Sequence, residues 1–184
     1  IDQAQAVISD LNISTKAFAL NRSEGLYTID LDSLTTPSIT EGHYYMIDAK
    51  QLDRAILEKW FRAYEIEALG SEDNDVLNNQ VKQSVDRALK GSDRWVLLVN
   101  NRPVSLSGFN ARLPDIVQIG PVWTPPEYRG KGYARALVAL TLQKAMKEDV
   151  QKSVLFTDNP AAIKAYEAIG FKKTGSYLLA LLKK

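Results

Sequence analysis

Leu52, Ile56, Trp60 and Tyr64 recur every fourth residue, so Gln51 to Leu69 predicts an amphipathic helix that Gly70 ends. Leu77, Val81, Val85 and Leu89 repeat the pattern on a second helix, running to about Lys90. Between them, Ser71-Glu72-Asp73-Asn74-Asp75 is an acidic connector with several candidate N-caps. Short apolar, β-branched runs predict strands at His43–Ile47, Trp95–Val99, Val104–Phe109, Ile116–Ile119 and Ser153–Thr157, with an Asn100-Asn101 turn between the second and third. Ala134–Lys147 is rich in helix formers, and a shorter helix follows Asn159. Phe171–Thr174 and Tyr177–Leu182 are expected to close the chain as two strands about Gly175. Near the start, Phe18-Ala19-Leu20 and Leu26–Leu31 flank Asn21-Arg22-Ser23-Glu24-Gly25, which reads as a hairpin with a glycine turn. Thr35-Thr36-Pro37-Ser38 then reads as a linker. Residues 1–41 are therefore expected to form an N-terminal extension, and residues 42–184 the main domain. The extension could be a dimer arm, the tail of a preceding domain, or a strand pair capping the main sheet.

The 184 residues suit one domain with an extension. A formal net charge of +1 argues against a nucleic-acid partner reached through a broad basic surface. The chain has no cysteine, which excludes disulfides, a thiol nucleophile and thiolate metal sites, and fits a reducing, cytoplasmic setting. No apolar run approaches the ~20 residues that span a bilayer, so no membrane partner is expected. There is no signal-peptide pattern, and the chain opens on Ile1, so residues are expected to be missing upstream.

Chemistry concentrates in Pro121-Val122-Trp123-Thr124-Pro125-Pro126-Glu127-Tyr128-Arg129-Gly130-Lys131-Gly132-Tyr133-Ala134. Two prolines end the strand from Ile116, and a glycine loop feeds the next helix. A helix start presents unpaired N–H groups and a positive dipole end, which suits phosphate. Arg129, Lys131 and Arg135 add mobile positive charge there. The dinucleotide fingerprint fails, because Arg135 stands where a third glycine belongs. The nucleoside-triphosphate loop fails because Gly132, and not Ser or Thr, follows Lys131. Downstream, Asn159 and Tyr166 lie seven positions apart and share one face of a short helix.

Arg129-x-x-Gly132-x-Ala134 resembles the pyrophosphate loop of the GNAT superfamily, the acyl-coenzyme-A-dependent N-acyltransferases. Asn159-x-x-Ala162-x-x-x-Tyr166-x-x-x-Gly170-Phe171 is similar to a second segment of that family, in the right order. The resemblance covers Ile116 to Phe171. It implies an α+β fold with a central mixed, mostly antiparallel sheet, helices on both faces, and a splay between the fourth and fifth strands of the main domain. It implies acetyl transfer from acetyl-coenzyme A to a primary amine in a ternary complex, without a metal, by a monomer or homodimer. The alternative is an acyl-coenzyme-A-binding module without transferase activity.

The resemblance also implies site residues. Val122, Trp123, Thr124, Arg129, Gly130, Lys131, Gly132, Tyr133, Ala134, Asn159, Ala162 and Tyr166 would hold the cosubstrate. Gly120-Pro121 would bulge the strand so that the backbone N–H of Val122 meets the thioester oxygen, and Tyr166 would be the general acid. Structural uses compete with these: a plain strand end at Val122, a core tyrosine at Tyr166, an N-cap at Asn159. Some relatives place a basic glutamate near the position of Gln118, and an amide cannot take a proton. The base is left open among Glu65, Glu67, Asp115, His43 and relayed water.

Overall fold

The computed structural model describes residues 2–37, 39, 42–91 and 93–183. Helix α1 (Asp2–Asp10) precedes strand β1 (Phe18–Asp30), and strand β2 (Tyr44–Asp48) follows. Helices α2 (Arg54–Leu69) and α3 (Asp75–Leu89) lead to β3 (Arg94–Val99), β4 (Arg102–Arg112) and β5 (Ile116–Trp123). Helix α4 (Tyr133–Met146), β6 (Lys152–Thr157), α5 (Pro160–Glu167) and β7 (Lys172–Leu182) complete the chain.

The caps explain the helix bounds. Asp53 accepts the N–H of Ala55 (2.7 Å) at the start of α2, and Asn74 accepts those of Val76 and Leu77 at the start of α3 (3.0 and 3.1 Å). Gly70 ends α2, its N–H bonding the Ile66 carbonyl at 3.2 Å.

The strands form one seven-stranded sheet in the order β2-β3-β4-β5-β6-β1-β7. Every pairing is antiparallel except β5 with β6. Both faces are covered, as the apolar periodicities require. On one face α2 and α3 bury Leu57, Trp60, Phe61, Leu77, Val81 and Val85 against Val96, Leu106 and Trp123. On the other, α4 and α5 bury Tyr133, Leu137, Leu142 and Tyr166 against Leu97, Val117, Ile119 and Leu155. This is the α+β fold that the resemblance implied.

Two expectations about strands are corrected. The expected hairpin at Asn21–Gly25 is absent: β1 runs unbroken through those residues, pairing with β6 on one side and β7 on the other. Its polar stretch looked like a turn because Arg22 and Glu24 face a polar cleft instead of a core. The two closing strands are one, β7, with Gly175 inside it opposite Leu26. The register slips there, so Thr174 has no opposite residue, a bulge rather than a turn. Helix α1 had no counterpart in the sequence reading. Of the expected linker, Ser38 lies outside the described residues, as does Glu41 at the expected boundary.

Candidate active-site cleft

The sheet opens between β5 and β6. The two strands pair only through Ile116↔Lys152, Val117↔Ser153 and Gln118↔Val154, and then part. On the β4 side of β5, Ser107 faces Val122 and Phe109 faces Ile119, so Gly120-Pro121 stands opposite the single residue Gly108. That is the expected bulge. A side chain at position 120 would strain the backbone and displace the Asn110 side chain. Gly120 has φ +150°, and a Cβ there would come within 2.3 Å of the Asn110 amide nitrogen. The sequence thus bends β5 away from β6 at the point where pairing stops.

The gap leads into a cleft of about 580 Å³. It is reached from both faces of the sheet, since Tyr166 of α5 and Tyr64 of α2 both line it. Gln118 sits at its root, opposite Val154. Val122 and Ala162 line the wall nearer α4 and α5. From the β1 side come Arg22 and Glu24, and from α2 come Glu65 and Glu67.

Tyr166 is buried, with its ring edge-on to Phe171 at 5.9 Å. Burial, then the charge of Tyr64, pushes its hydroxyl well above the usual phenol range, so it stays protonated through neutral and alkaline pH. Tyr64 is raised to about 12, first by burial and then by Glu65 and Glu24. Glu65 is the carboxylate that stands out. Burial raises it above the ordinary range, against lowering by a hydrogen bond from Ser71 (3.4 Å) and by the charge of Arg87. A carboxyl in a cleft with a raised pKa is a stronger base than an ordinary carboxylate and is a candidate for proton transfer.

The other expected bases fall away from the cleft or are already engaged. Glu67 is held by Arg129 at 2.9 Å. Asp115 does not line the cleft, and its carbonyl accepts the N–H groups of Gln151 and Lys152. His43 lies beside Tyr45, 5.6 Å between ring centroids, at the far edge strand. Sequence reasoning missed Glu24, which was placed in a turn. It is 6% exposed and accepts a 2.7 Å hydrogen bond from Arg22. Its i, i+2 spacing from Arg22 was the signal for a strand face.

At the other end, Gly132 is the N-cap of α4 with φ +79°, and no side chain caps the helix. A helix start without a side-chain cap suits an anionic acceptor. The expectation of mobile charge is corrected at Arg129. Its Nε donates to the Thr124 carbonyl at 2.9 Å, it pairs with Glu67, and it lies 4.9 Å over the Trp123 ring. Arg129 is a strut joining the glycine loop to α2. Arg135 folds back toward Gly132, and its Nε is buried without a partner. Gly130 and Lys131 are exposed in the loop, and Ala134 is half-buried in the first turn.

The remaining expected residues divide. The indole of Trp123 and the ring of Tyr133 are buried in the two cores, away from the cleft. Thr124 Oγ1 lies 2.9 Å from Ser105 Oγ and tethers the end of β5 to β4. Asn159 caps α5, its Oδ1 accepting from Ala161 and Ala162 at 2.9 and 3.2 Å. That use, worth about 1 kcal/mol to a helix, occupies its acceptor. Among the described residues no group of three or more His, Cys, Asp or Glu could hold a metal ion, and no helix is long and apolar enough to cross a membrane.

The comparisons with known proteins agree with this geometry. A model of the acetyltransferase (GNAT) family matches residues 54–171. The chain is 40% identical over 60 residues to N-acetyltransferase family 8 member 2 of Rattus norvegicus, which is 32% of this chain and only 26% of that protein. It is 30% identical over 114 residues to an acetyltransferase of Agrobacterium fabrum, 62% of this chain and 72% of that one. A GCN5-related N-acetyltransferase from Kribbella flavida matches with a TM-score of 0.60 at 14% identity, covering 89% of this chain and 59% of that one. A predicted acetyltransferase from Clostridium acetobutylicum, solved with acetyl-CoA, matches with a TM-score of 0.53 at 20% identity, over 72% of this chain and 90% of that one. At these identities the structural matches speak for the fold.

Proposed function

The chain belongs to the acetyltransferase (GNAT) family, and from that premise we propose that it moves an acetyl group from acetyl-coenzyme A to a primary amine by direct attack in a ternary complex. The observation that carries this reading is the cleft where β5 and β6 part, which gathers Val122, Tyr166 and Glu65 on its walls. The N–H of Arg129 is taken by the Pro126 carbonyl at 3.2 Å, so the pyrophosphate of the cosubstrate rests on the rest of the expected stretch, Gly130 to Ala134, and the pantetheine arm enters the splay past Ala162. Glu65 takes a proton from the acceptor ammonium. The freed amine attacks the thioester carbonyl carbon, and the N–H of Val122 meets the oxyanion, a contribution of roughly 3–4 kcal/mol in comparable sites. As the C–S bond breaks, the nitrogen sheds its second proton. The hydroxyl of Tyr166 relays that proton to the departing thiolate. The raised pKa of Tyr166 favours a relay over a lasting tyrosinate. Every residue used lies in one chain, so the reading holds for a monomer or a homodimer. A reducing, cytoplasmic compartment belongs to the same reading, on the lack of cysteine.

Gln118 favours one competing reading, since an amide stands at the root of the splay. The chain would then bind acyl-coenzyme A without transferring the group. Mixing the protein with acetyl-coenzyme A and a library of amines, and following free thiol, separates the two. Amine-dependent release supports transfer, and tight binding without release supports the module.

Two substitutions test the parts. Gly132→Val places a β-branched side chain at positive φ, with its Cβ 3.3 Å from Arg135, and fills the phosphate cradle. Coenzyme A affinity by calorimetry is expected to fall on the order of tenfold or more, as lost charged hydrogen bonds require. Unchanged affinity in a protein that melts cooperatively would move the pyrophosphate elsewhere. Gln118→Ala is expected to keep a measurable rate, and Gln118→Glu to match or exceed the parent at neutral pH. Complete loss of turnover in well-folded Gln118→Ala would make Gln118 a participant in the chemistry.

A further inference from the structure

The cleft wall carries charges of both signs. Toward β1 and β6 lie Glu24 and Asp158, with Arg22 2.7 Å from the first and 3.8 Å from the second. Toward α3 and β3 lie Arg87 and Arg94, and Glu65 on α2 stands close enough to feel the charge of Arg87. Arg94 is half-buried, and its Nη1 donates only to backbone carbonyls, those of Asp93 and Phe109. Among the described residues no carboxylate is within ion-pair distance of it. Asp93, next in sequence, has its carboxylate engaged by Arg112 at 3.1 Å. A guanidinium kept from water without a carboxylate is costly, and a second one beside it adds repulsion. The repulsion registers in Arg94, which is lowered to about 10, first by burial and then by Arg87. An anion against both arginines would relieve both costs, in the planar geometry that guanidinium favours.

We propose that the acceptor is an amine that also carries a carboxylate, the carboxylate held by Arg94 and Arg87 and the ammonium presented to Glu65. The proposal rests on the transfer reading above and names its substrate class. Amine and carboxylate would sit on opposite charges of one wall, which sets the acceptor's orientation toward the thioester.

Matched pairs test it: the standard amino acids and their carboxamides, each with acetyl-coenzyme A, scored by kcat/KM from thiol release. The pair members share the amine and side chain. Removing the negative neighbour makes the amide's amine easier to deprotonate, so intrinsic chemistry favours the amide, and a preference for the acid must come from the site. For at least one pair the acid is expected to lead by about ten- to hundredfold, the effect of a charged hydrogen-bonded partner. Arg87→Gln, at an exposed helix position, and Arg94→Gln should each pull that ratio toward one by raising KM. Dipeptide amides with aspartyl or glutamyl side chains distinguish a peptide-borne carboxylate from a free amino acid's. Amides used as well as acids throughout, or an acid preference unmoved in both variants, would overturn the proposal and leave acetyl transfer standing. No thiol release with any amine would overturn both.

Discussion

Tyr166→Phe is expected to lower kcat by ~10²–10⁴, the usual worth of general acid–base assistance, while acetyl-coenzyme A binding changes little. The substitution removes one oxygen and keeps the ring that packs edge-on against Phe171. The fold should therefore survive. The thiolate leaves with a pKa near 8.5, so it is best met by a group still protonated at neutral pH. Burial keeps the Tyr166 hydroxyl protonated far beyond that, so the basic limb of a pH profile should not report Tyr166. The ground-state thioester sulfur is a poor acceptor, which is why affinity should hold. Single-turnover thiol release, with binding followed by calorimetry, reads both quantities. A rate within about threefold of the parent, against the ~10² minimum for a general acid, would make Tyr166 a packing residue only.

Glu65→Gln is the second large effect, again ~10²–10⁴ in kcat/KM. Glu65 must be ionised to accept the ammonium proton. The acid limb of kcat/KM should fall as pH drops through its raised pKa, and should disappear in the variant. Stability should move the other way. A carboxyl whose pKa is raised on folding binds its proton more tightly in the folded state. Its stabilising effect is complete below the unfolded pKa and fades as pH rises through the folded one. At neutral pH the ionised Glu65 therefore burdens the fold, and glutamine should melt at the same temperature or higher. Lower activity with unimpaired melting is what a base in a cleft gives. An unchanged acid limb in Glu65→Gln would return the base to one of the other groups or to water.

The core was legible because its periodicities are strong. The four-residue repeats of α2 and α3 and the β-branched runs of β3 to β6 appear where they were expected, with bounds moved by a few residues. The glycine loop was legible for a different reason: Gly130, Gly132 and the prolines before them leave the backbone few choices. What failed was polarity read as irregularity. Asn21–Gly25 looked like a turn because no apolar alternation marks it, yet it is strand whose inward face serves a cleft. Glu24 and Arg22 were lost with it. Gly175 misled in the same way, since a glycine inside a strand can sit opposite a partner as easily as it can turn the chain. The acidic candidates for the base could be named from the sequence but not ranked. Ranking needed burial, and burial picks Glu65 out from Glu67, which Arg129 occupies.

The most direct measurement is a crystal structure of the protein with acetyl-coenzyme A bound. The pantetheine arm is expected between β5 and β6, with the pyrophosphate on the first amides of α4. The thioester oxygen should lie within hydrogen-bond distance, about 2.7–3.2 Å, of the Val122 nitrogen, and the sulfur should be in reach of the Tyr166 hydroxyl. A cosubstrate bound outside the splay, or a thioester turned away from both Val122 and Tyr166, would contradict the account at its centre.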